Sequence, residues 1–226
     1  MTAVDTHDRP LGQTSAILPV HKPAGMTSRS VVDEVEARCD VDKIGHGGTL
    51  DPLAEGVLPL HLNEATKVVQ YLHENPKTYR VRCRFDLRSP SLDLGEEVSP
   101  VESEGPQPSR KELQSQLQYF EGSQQQVPPN YSAIKVDGKP LYEWSRSTDE
   151  IPEVESRRVH CHSLRILHYD YPTLTFTVTC GKGFYVRSLV RDLAERLHQP
   201  GGIVTVLVRT EYGPYRLGSC AQLDDP

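Results

Sequence analysis

No run in the chain approaches the roughly 20 consecutive apolar residues of a membrane-spanning helix, so a helical membrane protein is excluded as a reading. Cysteine is sparse and unpaired in pattern: Cys39, Cys83, Cys161, Cys180 and Cys220 make an odd set, with no C-x-x-C pair. A disulfide scaffold and a zinc ribbon are therefore not expected, and a reducing cytoplasm fits. Positive charge is in deficit. The 25 lysines and arginines face 31 aspartates and glutamates, for a net charge of −6. A protein that coats nucleic acid by bulk charge does not look like this, although a local basic groove is compatible with it. G-x-S-x-G, H-E-x-x-H, G-x-G-x-x-G and the Walker spacing are all missing. The first sixteen residues, MTAVDTHDRPLGQTSA, lack a basic segment followed by an apolar one, so a secretory leader is not expected.

What is present is enough for one large domain: 226 residues, 36% hydrophobic and 25% charged. Residues 1–15 are polar and aperiodic and read as a flexible segment ahead of a domain over 16–226. ILPV (17–20) reads as a strand. A helix follows, capped by Thr27 or Ser28, with Val31, Val32, Val35 and Cys39 on one face. Residues 40–56 are glycine-rich and irregular. VLPLHL (57–62) reads as a strand, and 64–74 as a helix with Ala65, Val68, Val69 and Leu72 as its stripe. TYRVRCRF (78–85) alternates, with Tyr79, Val81, Cys83 and Phe85 on one face and Arg80, Arg82 and Arg84 on the other. Residues 86–108 read as a loop, and 109–120 as a helix buried through Leu113, Leu117 and Phe120. Residues 121–160 are mixed, with a short helix near 139–147. Segments 158–169 and 173–180 pair as strands. A helix over 184–197 carries Val186, Leu189, Val190, Leu193 and Leu197, and a last strand covers 203–210. Helices and strands interleave, but adjacent strands break the βα rhythm. The expected class is α+β, with a central mixed, largely antiparallel sheet flanked by helices.

Four constellations could carry chemistry. In Gly45 to Gly56, glycines allow close backbone approach, and Pro52 biases Asp51 to an extended backbone. The result is a carboxylate on a stiff loop, with His46 five residues earlier. In Gly181 to Arg187, Arg187 lies about 100° from the centre of the apolar stripe. There it serves either as a solvated helix arginine or as the partner of a carboxylate. Tyr79 reads as a core tyrosine by itself, and Arg80, Arg82 and Arg84 as either a phosphate-facing or a water-facing row. His160 and His162 share a strand face, but no third metal ligand is in view.

Together the strings resemble the TruB-type tRNA pseudouridine synthases. His21 to Ser28 is similar to the family's K-P-x-G-x-T-S, which includes Lys22. Gly45 to Pro59 is similar to its G-H-x-G-T-L-D-P-x-A-x-G-V-L-P signature. Lys77-Thr78-Tyr79 resembles its K-x-Y motif. Tyr131 to Lys135 and Gly138 to Glu143 resemble the segment that closes over RNA. Gly181 to Arg187 resembles K-G-x-Y-[IV]-R, and Leu207 to Thr210 the late L-x-R-T. The resemblance runs from about Ile17 to Asp224. Departures fall at His21, at Asp86, at Ser89 and Ser91, and in a loop one residue shorter before Asp93.

The resemblance implies isomerisation of uridine 55 in the T-arm of tRNA, by base flipping and without cofactor or metal. It implies Asp51 as the catalytic aspartate, Arg187 as its partner charge and Tyr79 as the ring stacked on the target base. It further implies Tyr185 and Leu207 in the uridine pocket, His46 supporting the RNA, and Lys22 in the binding motif. A monomer acting on tRNA in the cytoplasm, with neither DNA nor membrane as partner, is the matching expectation. A guide-dependent, dyskerin-like synthase and a tRNA-folding chaperone are the alternatives. Stand-alone members usually continue into a PUA-type RNA-binding domain, so a catalytic domain without that module is expected here.

Overall fold

The computed structural model describes residues 14–102, 107–147 and 151–224. Residues 1–13 of the expected flexible segment, and 103–106 of the expected loop, lie outside them. Thr14 and Ser15 are tied down: the Thr14 carbonyl accepts from Asn63 Nδ2 at 2.9 Å, and Ser15 Oγ from the Glu64 amide at 3.2 Å. The chain forms two compact units, one from the segments up to Lys77 and from Val208 onward, the other from Thr78 to Leu207.

In the first unit, β1 (Ile17–Lys22) runs antiparallel to β3 (Glu55–Leu62), in register from Ile17 opposite His61 to Lys22 opposite Gly56. Between them come α1 (Ser28–Arg38) and a short β2 (Ile44–His46). Thr27 is the cap of α1, its hydroxyl accepting from the Ser30 amide at 2.9 Å. Val31, Val32 and Val35 bury against Val20, Leu58 and Leu60. Full burial of such side chains is worth about 1.5–3 kcal/mol each. The region expected to be irregular over 40–56 therefore contains a strand, β2, antiparallel to the far end of β3.

The helix expected over 64–74 is corrected. Residues Asn63–Val68 wind as a 3₁₀ turn, and only Val69–Leu72 (α2) is α-helical; no residue of either piece is buried. Asn63 takes a left-handed backbone (φ 52°), and the Thr66 hydroxyl donates back to its carbonyl at 2.7 Å. The tighter winding eclipses i and i+3, so the stripe never lines up and Val68 stays exposed.

The second unit carries β4 (Lys77–Arg84), β5 (Leu87–Arg88), β6 (Ser99–Pro100), α3 (Arg110–Tyr119) and β7 (Gly122–Gln126). After these come β8 (Lys135–Val136), β9 (Lys139–Pro140), α4 (Leu141–Ser147), β10 (Arg157–Asp170), β11 (Thr173–Cys180), α5 (Val186–Arg196) and β12 (Ile203–Tyr212). The last residues of β12, with β13 (Tyr215–Arg216), belong to the first unit, where Val208 and Arg209 pair parallel to Glu55 and Gly56. The strand order in the second unit is β12, β4, β11, β10, β7. β10 pairs antiparallel with both β11 and β7. With β1–β3, β10–β11 and β7–β10 antiparallel, β3–β12 parallel and helices inserted between strands, the class is α+β, as expected.

One face of the second unit's sheet is buried. Val81, Cys83 and Phe85 of β4 and Leu174, Phe176 and Val178 of β11 pack against Leu113, Leu117 and Phe120 and against Val186, Leu189, Val190 and Leu193. α3 starts on a reciprocal cap: Ser109 Oγ accepts from the Glu112 amide while the Glu112 carboxylate accepts from the Ser109 amide. The loop expected over 86–108 holds the β5–β6 ribbon, and β7 and the β8–β9 hairpin come from the stretch called mixed. All five cysteines are free thiols. Burial pushes Cys83 and Cys161 up to about 12, leaving them unreactive.

Candidate active site

The glycine-rich string of the first unit is held at almost every backbone step. Arg209, 1% exposed, donates Nε to the Val57 carbonyl at 2.7 Å and Nη2 to the Gly48 carbonyl at 2.8 Å. Ser28, at the start of α1, donates its hydroxyl to the Leu50 carbonyl at 3.0 Å and accepts from the Leu50 amide at 2.9 Å. The Pro52 carbonyl accepts from Lys22 Nζ at 3.1 Å and from the Gly25 amide at 2.8 Å. The Ala54 amide closes a turn onto the Asp51 carbonyl at 3.1 Å. Asp51, half-buried, is thus bracketed by anchored neighbours on both sides.

The glycines have separate reasons. A Cβ at Gly56 (φ +118°) would lie 2.2 Å from the Arg209 carbonyl oxygen, so only glycine lets β3 and β12 approach there. A Cβ at Gly47 would lie 2.7 Å from His61 Nε2, a fully buried ring.

Two buried cations set the electrostatics. Lys22 is fully buried, its ammonium also donating to the Pro23 carbonyl at 2.8 Å and the Met26 carbonyl at 2.6 Å. Burial pushes it down to about 8, and Arg209 pushes the same way, while Asp51 and Glu55 oppose them. Desolvation, then Arg209, Arg29 and His73, lower the half-buried His46, favouring its neutral ring. His61 is lowered mainly by burial.

Lys22 gives a pH prediction. Its folded value of about 8 lies below the ordinary 10.5, so the unfolded chain binds more protons between those values. Stability therefore rises with pH across that window. Urea melts of wild type and Lys22→Met at pH 7 and pH 9.5 should show the difference moving about 2 kcal/mol in favour of wild type. An unchanged difference would mean that the ammonium is not desolvated in the fold.

In the second unit, Tyr79 and Leu207 are half-buried and pack at the border of the core. Tyr79 shares its strand face with Val81 and Cys83, as alternation requires. Tyr185, at the start of α5, is clamped through its backbone: its amide donates to Gln126 Oε1 at 2.8 Å, and Gln126 Nε2 donates to its carbonyl at 3.1 Å. Arg187 is 4% exposed, so the solvated-helix alternative is corrected. The stripe of α5 is wide enough to cover a residue 100° from its centre. Arg187 donates to the Ser91 carbonyl at 2.8 Å and the Tyr131 carbonyl at 3.0 Å, and lies 3.6 Å from Asp93 Oδ2. Asp93 in turn accepts from Ser91 Oγ at 2.6 Å and the Gly95 amide at 2.9 Å, so the shortened loop is well braced. The departures at Ser89 and Ser91 are accommodated as buried hydroxyls 3.1 Å apart, and Asp86 pairs with Arg84.

Asp51, His46 and Lys22 therefore share the first unit, and Tyr79, Tyr185, Arg187 and Leu207 the second. Ser28, Arg209, Gln126 and Asp93 position these residues, and the sequence had assigned them no such role. Each is a single polar residue acting on a distant carbonyl, amide or guanidinium, which periodicity does not register.

Residues 36–186, more than half of the chain, match the family described as TruB family pseudouridylate synthase, N-terminal domain. The chain belongs to the TruB family. Similar TruB relatives include proteins named tRNA pseudouridine synthase B. The one from Caldanaerobacter subterraneus subsp. tengcongensis is 43% identical over 92% of this chain and 73% of its own length. That from Pseudomonas aeruginosa strain UCBPP-PA14 is 40% identical, over 93% and 68%. Among solved structures, a Cbf5–Nop10–Gar1 complex is similar with a TM-score of 0.71 and 27% identity, covering 96% of this chain. The chain spans 55% of that solved protein.

Proposed function

We propose that this chain isomerises uridine to pseudouridine at position 55 in the T-arm of tRNA, as a cytoplasmic monomer. The observation that carries the reading is the Asp51 carboxylate, fixed on a loop whose neighbouring backbone is anchored by Lys22, Ser28 and Arg209. The reaction detaches the base at nitrogen and rejoins it at carbon, with nothing oxidised or reduced, so it requires no redox cofactor. Glycosidic cleavage builds cationic character at C1′, and a fixed carboxylate can stabilise or capture it. The target base must leave its stack first, at a cost of a few kcal/mol. Tyr79 recovers part of that cost by stacking on the base. Arg187 supplies the partner charge for Asp51, Tyr185 and Leu207 line the base pocket, and His46, as a neutral ring, supports the RNA. The reading is supported by the relatives named tRNA pseudouridine synthase B. Its direct test is formation of pseudouridine in a T-arm stem-loop by the purified chain, read by mass spectrometry after chemical derivatisation. No product from either the stem-loop or intact tRNA would overturn it.

Two further variants test the assignments. Tyr79→Leu should lose turnover about ten- to a hundredfold, since one base–aromatic stack is worth about 1–3 kcal/mol, while Tyr79→Phe keeps the stacking face and more of the rate. Arg187→Met removes a buried, hydrogen-bonded charge and should destabilise the fold by about 3–5 kcal/mol, with turnover falling further than RNA affinity. Normal turnover by both Tyr79→Leu and Arg187→Met would refute their assigned roles.

A further inference from the structure

Among the described residues, α3 and α5 pack against one face of the second unit's sheet. The other face is mostly basic and hydroxyl-bearing, although Leu167 of β10 is also exposed there. β10 presents Arg158, His160, His162, Arg165 and His168, all exposed. β11 presents Thr173, Thr175, Thr177 and Thr179, and β4 presents Thr78, Arg80 and Arg82.

These strands share the face by register and by contact. Arg165 stands opposite Thr177 and Ser163 opposite Thr179. The hydroxyls of Thr78 and Thr179 lie 3.1 Å apart. His160 stands opposite Ser123 of β7, its Nδ1 3.3 Å from the Ser123 hydroxyl, and its ring meets that of His162 edge-on at 4.6 Å. Register shifts between Cys161 and Ser163, and between Ile166 and His168, let His162 and His168 join this face without turning the buried residues outward. Carboxylates near these strands include Asp86, held by Arg84, Asp170 at the end of β10, and Glu121, which accepts from the Leu164 amide.

A face that only needed solubility would mix both signs, as surfaces generally do. This one gathers arginine, histidine and threonine in a chain whose net charge is −6. Arginines set among hydroxyl donors recognise phosphate oxygens by charge-assisted hydrogen bonds. Strand alternation sends Arg80 and Arg82 away from the face that holds Tyr79, so this surface is separate from the one assigned to the reacting base. We infer that the open face of the β4–β11–β10 sheet is a docking surface for the phosphate backbone of an RNA segment other than the one being modified. The inference rests on the RNA-modifying reading for its choice of polyanion, and charge complementarity carries the rest.

The test uses an RNA duplex that contains no uridine and so cannot be a substrate. Its affinity for the full chain is measured by fluorescence anisotropy across a salt series, beside Arg82→Glu/Arg158→Glu/Arg165→Glu and the matching glutamine variant. The three arginines are exposed, so both variants should keep the wild-type circular dichroism spectrum. Wild type should bind the duplex with a steep salt dependence. The glutamate variant should bind at least tenfold more weakly, with the log–log salt slope reduced by about 2–3, and the glutamine variant should fall between. Stem-loop turnover should be unchanged in both variants, and excess duplex should not inhibit it. Equal affinity and slope in all three proteins would overturn the inference, as would competition between the duplex and the stem-loop. Binding to phosphatidylserine vesicles without binding to the duplex would overturn RNA as the occupant. Loss of stem-loop turnover by wild type would instead strike the proposed function and leave the duplex result standing.

Discussion

Asp51→Asn should leave the fold and RNA affinity in place and lower pseudouridine formation by about a thousandfold or more, on the order of 4 kcal/mol of transition-state stabilisation. The substitution keeps shape and removes only charge. The anchors around it use backbone atoms: the Leu50 amide and carbonyl, the Pro52 carbonyl and the Gly48 carbonyl. Of these, the Lys22 anchor feels the Asp51 charge, and its ammonium keeps three carbonyl acceptors, so the loop keeps its course. Removing an anion cannot weaken attraction to phosphate, so affinity for RNA should hold or rise slightly. What is lost is the group that meets the cationic character at C1′. Single-turnover kinetics on a stem-loop, with binding measured separately, distinguishes these effects. A rate within tenfold of wild type would remove Asp51 from the chemistry.

The second large effect belongs to Arg209. Arg209→Met keeps the aliphatic bulk but withdraws two donors, one from the buried Val57 carbonyl and one from the partly buried Gly48 carbonyl. Each orphaned buried polar group costs about 1–3 kcal/mol. The expected loss is about 3–5 kcal/mol, or a fall of roughly 10 °C in Tm for a chain of this size. Turnover should fall well beyond the fraction unfolded, because Gly48 is three residues from Asp51. Arg209→Lys can still donate to one carbonyl and should recover part of the stability. Thermal melts and turnover, both at a temperature where every variant is folded, decide it. Wild-type turnover in a folded Arg209→Met chain would show that the loop does not need this clamp.

The elements that could be read from the sequence had their period written in buried residues. Val31, Val32 and Val35 placed α1, the alternation from Tyr79 to Phe85 placed β4, and the threonine alternation placed β11. Asp51 was conspicuous for a different reason: glycines and a proline confined it. Elements whose hydrogen bonds are made without an apolar pattern escaped. β2, Ile44-Gly45-His46, pairs with β3, and β7, Gly-Ser-Gln-Gln-Gln, pairs with β10, without an alternating apolar pattern in either. The segment 64–74 shows the opposite failure. It has helical spacing, yet a left-handed Asn63 and a 3₁₀ turn leave its stripe unburied. The roles of Ser28, Gln126 and Asp93 depend on which distant groups the fold brings to them, and that is tertiary information.

The anchored loop also decides where the entropy of assembly is lost. Gly48, Leu50 and Pro52 already have their partners before any ligand arrives, so little protein freedom remains to be given up there when RNA docks. The ordering cost is then borne by the nucleic acid, which must unstack and rotate one nucleotide. A stem-loop whose target uridine is already unpaired and loosely stacked should accordingly be taken up more readily than one of identical sequence locked in a longer stem, and the difference should track the stability of the RNA rather than any rearrangement of the protein.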